Sequence, residues 1–162
     1  MTARGEAADE ESLDAITDAL LTSSRLLVAI SARSIASIDE TLTIAQFRTL
    51  VILSNEGPVN LATLASLLDV QPSTVGRMVD RLVTTGVIDR HAHPNSRREL
   101  VVELTGEGRR IVGEVTAQRR KEIARVVEEM PPRERHGLVR ALTAFTTAGG
   151  EPAASIDVDE RL

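Results

Sequence analysis

The sequence predicts a mainly α-helical fold with one small β-hairpin, and three observations predict it. Apolar residues recur at three- and four-residue steps through most of the 162-residue chain, marking helical stripes. Only two short runs look like strands, Val87 to His91 and Glu99 to Leu104, and they are joined by Ala-His-Pro-Asn-Ser-Arg-Arg. Just ahead of them, two short helical segments are separated only by Asp69-Val-Gln. Helix, tight turn, helix, hairpin is the outline of a winged helix-turn-helix.

From the N-terminus, residues 1–11 are rich in Ala, Glu and Asp without periodicity, the composition of a disordered acidic tail. A helix is expected from Ser12, its N-cap, through a stripe of Leu13, Ile16, Leu20, Leu27, Ile30, Ile35 and Ile38 about 25 residues long. So long a stripe on a terminal helix calls for a partner surface, and a second copy of the chain is a natural supplier. The next helix runs from about Thr43 to Asn55, is capped by Thr43 and stops at Gly57-Pro58. Its stripe reads Ile44, Phe47, Leu50 and Val51. Val59 is a candidate for a short strand beside the hairpin.

Leu61, Leu64, Ala65 and Leu68 give the third helix one buried stripe, with Asn60 as its N-cap. The fourth opens on Pro72, whose missing N–H costs nothing in a first turn, and closes at Gly86. At about 100° per residue, Val75, Met78, Val79 and Leu82 share one side, and Ser73, Thr74, Arg77, Arg81 and Thr84 share the other. A face of short hydroxyls and arginines suits a DNA major groove, where Arg forks onto guanine O6 and N7 or onto phosphate. The same face also fits ordinary solvation, and the turn, the preceding helix and the hairpin together favour DNA. In the hairpin loop, Ala92 to Arg98, Pro94 and Asn95 are turn formers. No acid stands between Arg90 and Arg98, whereas His91, His93, Arg97 and Arg98 are all present. Such a basic finger can lie along phosphates or probe a minor groove.

Thr105 is expected to cap another long helix, with a seam of Val112, Val115, Ile123, Val126 and Met130 on which Arg119 is the odd residue. Met130-Pro131-Pro132 breaks it and starts the last helix, striped by Leu138, Val139, Leu142 and Phe145 and ended by Gly149-Gly150. Residues 148–162 read as a flexible acidic tail.

These residues resemble the MarR family of bacterial transcription regulators. The likeness rests on Leu42-Thr-Ile-Ala-Gln-Phe47, Leu61 to Leu68, Pro72-Ser-Thr, Met78-Val-Asp-Arg-Leu-Val, Gly86-Val-Ile, Arg97-Arg98 and Leu104-Thr-Gly-Glu-Gly108, and covers roughly residues 13–147. The resemblance implies a homodimer whose two winged lobes bind a pseudo-palindromic operator in double-stranded DNA, usually as a repressor released by a small molecule or by oxidation. It implies a recognition helix over 72–85 and a wing-tip arginine at Arg98. The family's wing tip usually has an aspartate two residues before that arginine, and this chain has Ser96 there. One domain, 12–147, is expected: 12–42 and 106–147 form the dimerisation helices and 43–105 the DNA-binding lobe. The DNA-binding residues are then Ser73, Thr74, Arg77, Arg81, Asn95, Arg97 and Arg98.

Composition narrows the alternatives. Cysteine is absent, which removes disulfides, thiolate metal sites and cysteine redox switches. The net charge of −5 is concentrated in the ends, and without residues 1–14 and 148–162 the body holds 15 acids and 17 bases. Local field rather than net charge steers a groove binder. Phe47 and Phe145 are the only aromatics, too few for the stacking surfaces of single-strand or RNA binders. No phosphate-binding glycine loop, nucleophile elbow or zinc-ligand set is visible, so no enzyme, metal or cofactor is expected. No apolar run approaches about 18 residues, and the N-terminus lacks a secretory pattern, so a cytoplasmic protein without a membrane span is expected. The family resemblance implies that small-molecule release would use a cleft between the dimer helices and the winged lobe, lined here from helices 12–38, 43–55 and 106–129. Arg25, Arg33 and Arg48 are candidate anion partners there, although no effector-binding set is assigned. The rival from another class is a winged-helix protein-interaction module that binds no DNA, which an acidic or apolar recognition face would favour.

Overall fold

The computed structural model describes residues 11–153, so the expected disorder of 1–11 (Glu11 apart) and most of the acidic tail from 148 lie outside the described residues. The elements are α1 (Leu13–Ile38), α2 (Ile44–Glu56), β1 (Val59–Asn60), α3 (Leu61–Leu68), α4 (Pro72–Thr84), β2 (Ile88–His93), β3 (Ser96–Leu104), α5 (Gly106–Glu129), α6 (Pro132–Arg135) and α7 (Leu138–Ala148). The strands form one antiparallel sheet in the order β1-β3-β2. This is the expected mainly α fold with a small wing.

The helix starts fall where the polar caps stand. Ser12 accepts from the Ala15 N–H, Asn60 from Thr63 and Thr105 from Gly108. Thr43 and Gln46 form a reciprocal box: Thr43 Oγ1 accepts the Gln46 N–H, and Gln46 Oε1 accepts the Thr43 N–H. Thr43→Ala removes half of that box, so urea denaturation should show about 1 kcal/mol lost, the usual worth of such a cap. Thr105 also donates to the Gly86 carbonyl at 2.7 Å, tying the start of α5 to the turn that follows α4. A Cβ on Gly108 would lie 2.2 Å from the Val87 carbonyl oxygen, so only glycine lets α5 approach the base of the hairpin this closely.

The core lies inside the winged lobe. Leu50, Leu64, Val75, Val79, Ile88, Val102 and Val115 are fully buried there, with Phe47 and Ile111 around them. In α2 the buried face differs from the expected stripe: Ile44 is exposed, and Gln46, Thr49 and Leu53 are buried. The polar pair hid the face from an apolar count. Gln46 is satisfied in the capping box, and the Thr49 hydroxyl donates to the Ala45 carbonyl at 3.0 Å. In α5, likewise, Ile111 and Val115 carry the packing while Val126 is exposed.

Two boundaries move. The strands of the hairpin run to His93 and from Ser96, so the turn is only Pro94-Asn95 rather than a loop from Ala92 to Arg98. Pro132 starts a single turn, and the last helix begins at Leu138 after His136 and Gly137, the latter at φ 76°. Arg135 explains the interruption, because its guanidinium folds back to donate to the Glu128 and Met130 carbonyls that α5 leaves open at its end.

The expectation that no segment is long and apolar enough to cross a membrane is corrected by α1, whose 26 residues pass that test on length and composition. Serines and threonines interrupt the apolar letters, yet Thr17, Thr22, Ser23 and Ser31 turn their hydroxyls onto carbonyls four residues back. The helix packs along α5 through Ile30, Ser34 and Ile35. At that seam Arg33 pairs with Glu122 at 3.0 Å, and Gln118 and the buried Ser34 also approach the same carboxylate. The Arg33 guanidinium, donating to Glu122, holds its carboxyl below the usual glutamate range. A depressed pKa contributes stability above the unfolded value of about 4.3, and that stability is lost as pH falls through the lower folded value. Glu122→Gln should therefore lower the urea midpoint near pH 6, with the gap to wild type closing toward about pH 3. A gap independent of pH would show that the charge of Glu122 is not what the seam uses. Nearby, the Arg119 Nε is buried with no hydrogen-bond partner among the described residues.

Candidate nucleic-acid interface

The turn between α3 and α4 is made by Asp69, which takes a left-handed conformation at φ 53° and closes α3 with its N–H on the Ala65 and Ser66 carbonyls. Gln71 is the N-cap of α4 but makes no side-chain cap bond, and Pro72 follows at the first helical position. Val75, Val79 and Leu82 then anchor α4 in the core, with Met78 half-buried. That anchoring fixes the opposite face. Ser73, Thr74, Arg77 and Arg81 are all exposed, and among the described residues none of them is in an ion pair. Ser73, Thr74, Arg77 and Arg81 thus share one outward face of donors, as the sequence predicts.

In the wing, the register shifts between Ala92 and His93: Ala92 pairs with Leu100 and His93 with Ser96. One step along β2 is matched by four along β3, so Arg97, Arg98 and Glu99 bulge from the ladder. The bulge leaves Arg97 and Arg98 exposed beside the tip, and Glu99 turns back to accept from the Asn60 amide. Asn95 is exposed at the turn, and its N–H donates to His93 Nδ1 at 3.1 Å. Ser96 is half-buried at the start of β3.

The basic finger read from the sequence is smaller in space than in the chain. His91 Nε2 lies 3.1 Å from the Glu103 carboxylate, and Arg90 pairs with Asp80 at 2.6 Å. Strand alternation accounts for Arg90. It shares a face of β2 with the fully buried Ile88 and so points toward α4, whereas Asp89 and His91 point the other way. The pair lies only ten residues apart in the chain, but it joins a helix to a strand, and neither element's own spacing shows it; Asp80 stands seven residues after Ser73 and three after Arg77. At helical spacing that places a carboxylate on the predicted donor face itself.

Of the arginines considered for an anionic effector, Arg33 is held by Glu122, Arg48 is paired with Glu151 at 3.2 Å, and Arg25 is exposed. An open cavity of about 530 Å³ lies elsewhere, at the wing root, lined in part by Asn60, His91, Glu99 and Glu103. No cluster of three or more metal-ligating side chains occurs among the described residues.

The geometry agrees with the comparisons. The MarR family model matches residues 42–100, which span α2 through most of the wing. The transcriptional repressor NicR of Pseudomonas putida is 36% identical over 70 residues, 43% of this chain and 44% of its own length. The chain spans about half or less of the length of such curated relatives. The crystal structure of RV1404 from Mycobacterium tuberculosis superposes with a TM-score of 0.83 at 72% identity, covering 90% of this chain and 99% of that one. A MepR mutant from S. aureus bound to an oligodeoxyribonucleotide shares the fold alone, with a TM-score of 0.63 at 18% identity over 82% of this chain and 96% of that one. The curated relatives are regulators rather than enzymes, and this chain, with its winged-helix DNA-binding fold, belongs to the MarR family of transcriptional regulators.

Proposed function

We propose that this regulator is a cytoplasmic homodimer that binds a pseudo-palindromic operator in double-stranded DNA and represses transcription until a small molecule releases it. One observation carries the reading: four exposed polar residues on the outward face of α4, in no ion pair among the described residues, stand beside a wing whose bulge presents Arg97 and Arg98, likewise in none. In this reading Ser73, Thr74, Arg77 and Arg81 enter the major groove, and Asn95, Arg97 and Arg98 reach the backbone or minor groove. Residues 12–42 and 106–147 supply the contacts between subunits. The repressor name of NicR and the oligonucleotide held by MepR support the same mode of action. No residue is assigned to the effector.

The test is a mobility-shift assay with the DNA flanking the protein's own gene. A specific shift that survives competitor DNA is expected, and its absence across that DNA would overturn the reading.

Salt titration of the same complex examines the wing. Ser96 supplies no carboxylate to aim Arg98, so Arg97 and Arg98 should act as near-equal phosphate clamps. Alanine at either should weaken binding evenly across sequences and reduce the slope of log affinity against log salt by about one unit. Should Arg98→Ala erase an A·T preference and leave the slope alone, Arg98 reads the minor groove instead.

A further inference from the structure

Asp80 is a carboxylate where a DNA-binding surface should have none. At 100° per residue it falls between Ser73 and Arg77 on one side and the wing on the other, and its side chain is 61% exposed. A bare carboxylate there would be carried toward phosphates and repelled by them. Arg90 changes that balance, since its Nη1 donates to Asp80 Oδ1 at 2.6 Å, a charge-assisted bond that neutralises the acid and fixes its pose. Only one carboxylate oxygen is engaged by that bond. The other remains an acceptor on the donor-rich face.

We infer that Asp80 is a specificity-determining residue of this regulator and that Arg90, reaching from β2, is its positioning residue rather than a phosphate contact. The inference rests on the DNA-binding reading given above. A fixed carboxylate oxygen in a major groove accepts from the exocyclic amino groups of cytosine N4 or adenine N6. It repels guanine O6 and N7 and thymine O4, which offer only acceptors. Asp80 thus selects by rejection at a base position that the free arginines leave to one side. The pair also joins the recognition helix to the first strand of the wing, so the two DNA-facing elements share one orientation.

The experiment is a double-mutant cycle on the full-length protein with Asp80→Ala, Arg90→Gln and the combination. The probe is a duplex that the wild-type protein selects from a randomised pool, compared with single-base variants and a scrambled duplex of equal composition. Asp80→Ala should leave the melting temperature nearly unchanged and tighten binding to the scrambled duplex. It should also cut discrimination at one base pair per half-site by roughly tenfold or more. Arg90→Gln alone exposes the carboxylate and should weaken binding to every duplex by roughly tenfold. In the Asp80→Ala background the same change should cost no more than about threefold, the signature of a residue acting through another. Arg90→Lys, which keeps the charge, should restore most of the affinity. If Arg90→Gln costs the same in both backgrounds and lowers the salt slope in both, Arg90 is a phosphate contact and the inference fails alone. It also fails if Asp80→Ala leaves discrimination intact. If the wild-type protein selects no sequence from the pool, the DNA-binding reading fails and takes this one with it.

Discussion

Alanine at both Arg77 and Arg81 is expected to lower operator affinity by about a hundredfold or more, down to the level of binding to unrelated DNA. Each arginine that forks onto a base edge or a phosphate is worth about 1–3 kcal/mol, and every 1.4 kcal/mol is about tenfold in affinity. The structure makes the two changes clean. Both side chains are exposed, neither is in an ion pair among the described residues, and α4 is anchored from its opposite face by Val75, Val79 and Leu82. The double variant should therefore keep its fold, which circular dichroism and the melting temperature would verify. Arg77 lies nearest the middle of the outward face, one turn after Ser73, so its loss should relax preference at one position per half-site. Arg81, a turn further on, should change affinity more than preference. Unchanged affinity and unchanged sequence preference in the double variant would remove α4 from the DNA-reading role altogether.

The fold and the donor face of α4 were legible because each depends on local rules. Ser12, Thr43, Asn60 and Thr105 mark helix starts through hydrogen bonds spanning three residues, and the wheel of α4 needs only its own letters. What the sequence hid is where polar residues have partners distant along the chain or close on their own helix. Gln46 and Thr49 are buried because their hydrogen bonds are made within or next to α2, and counting apolar letters therefore turned that helix's buried face away from its true direction. Arg90 reads as part of a basic finger until the strand places it beside Asp80. Arg97 and Arg98 read as part of the same finger, but they leave the sheet through a bulge in β3, which depends on a register no single strand encodes. The single helix expected after Pro132 is two because Arg135 caps α5 from five and seven residues away. On α1 and α7 the stripes were legible, yet the single chain leaves them open.

Glutamate at Leu142 and Phe145 together should convert the protein from a dimer to a monomer and abolish operator binding. The two side chains lie three residues apart on α7, and both are exposed in the single chain, Leu142 at 45% and Phe145 at 54%. Val139, one turn earlier, is 81% exposed, and no side chain of α7 is buried. On α1, Leu13, Leu21 and Val28 are likewise open. Two terminal helices with apolar side chains left uncovered among the described residues need a cover, since large exposed apolar patches are rare on soluble monomers. Burying a leucine or phenylalanine side chain gains about 1.5–3 kcal/mol, and a carboxylate in its place would have to be desolvated without a partner, at a cost of several kcal/mol. Two such changes in each subunit exceed what a typical interface can absorb. Light scattering should fall from about twice the chain mass of 17.5 kDa to that mass. The winged lobe should keep its melting transition, because none of its buried residues lies on α7. A monomer would still carry α4 and the wing but would meet one half-site at a time, losing the gain that comes from linking two binding events. Wild-type mass near 17.5 kDa at micromolar concentration, or a double variant that remains dimeric and binds DNA, would place the subunit contacts elsewhere.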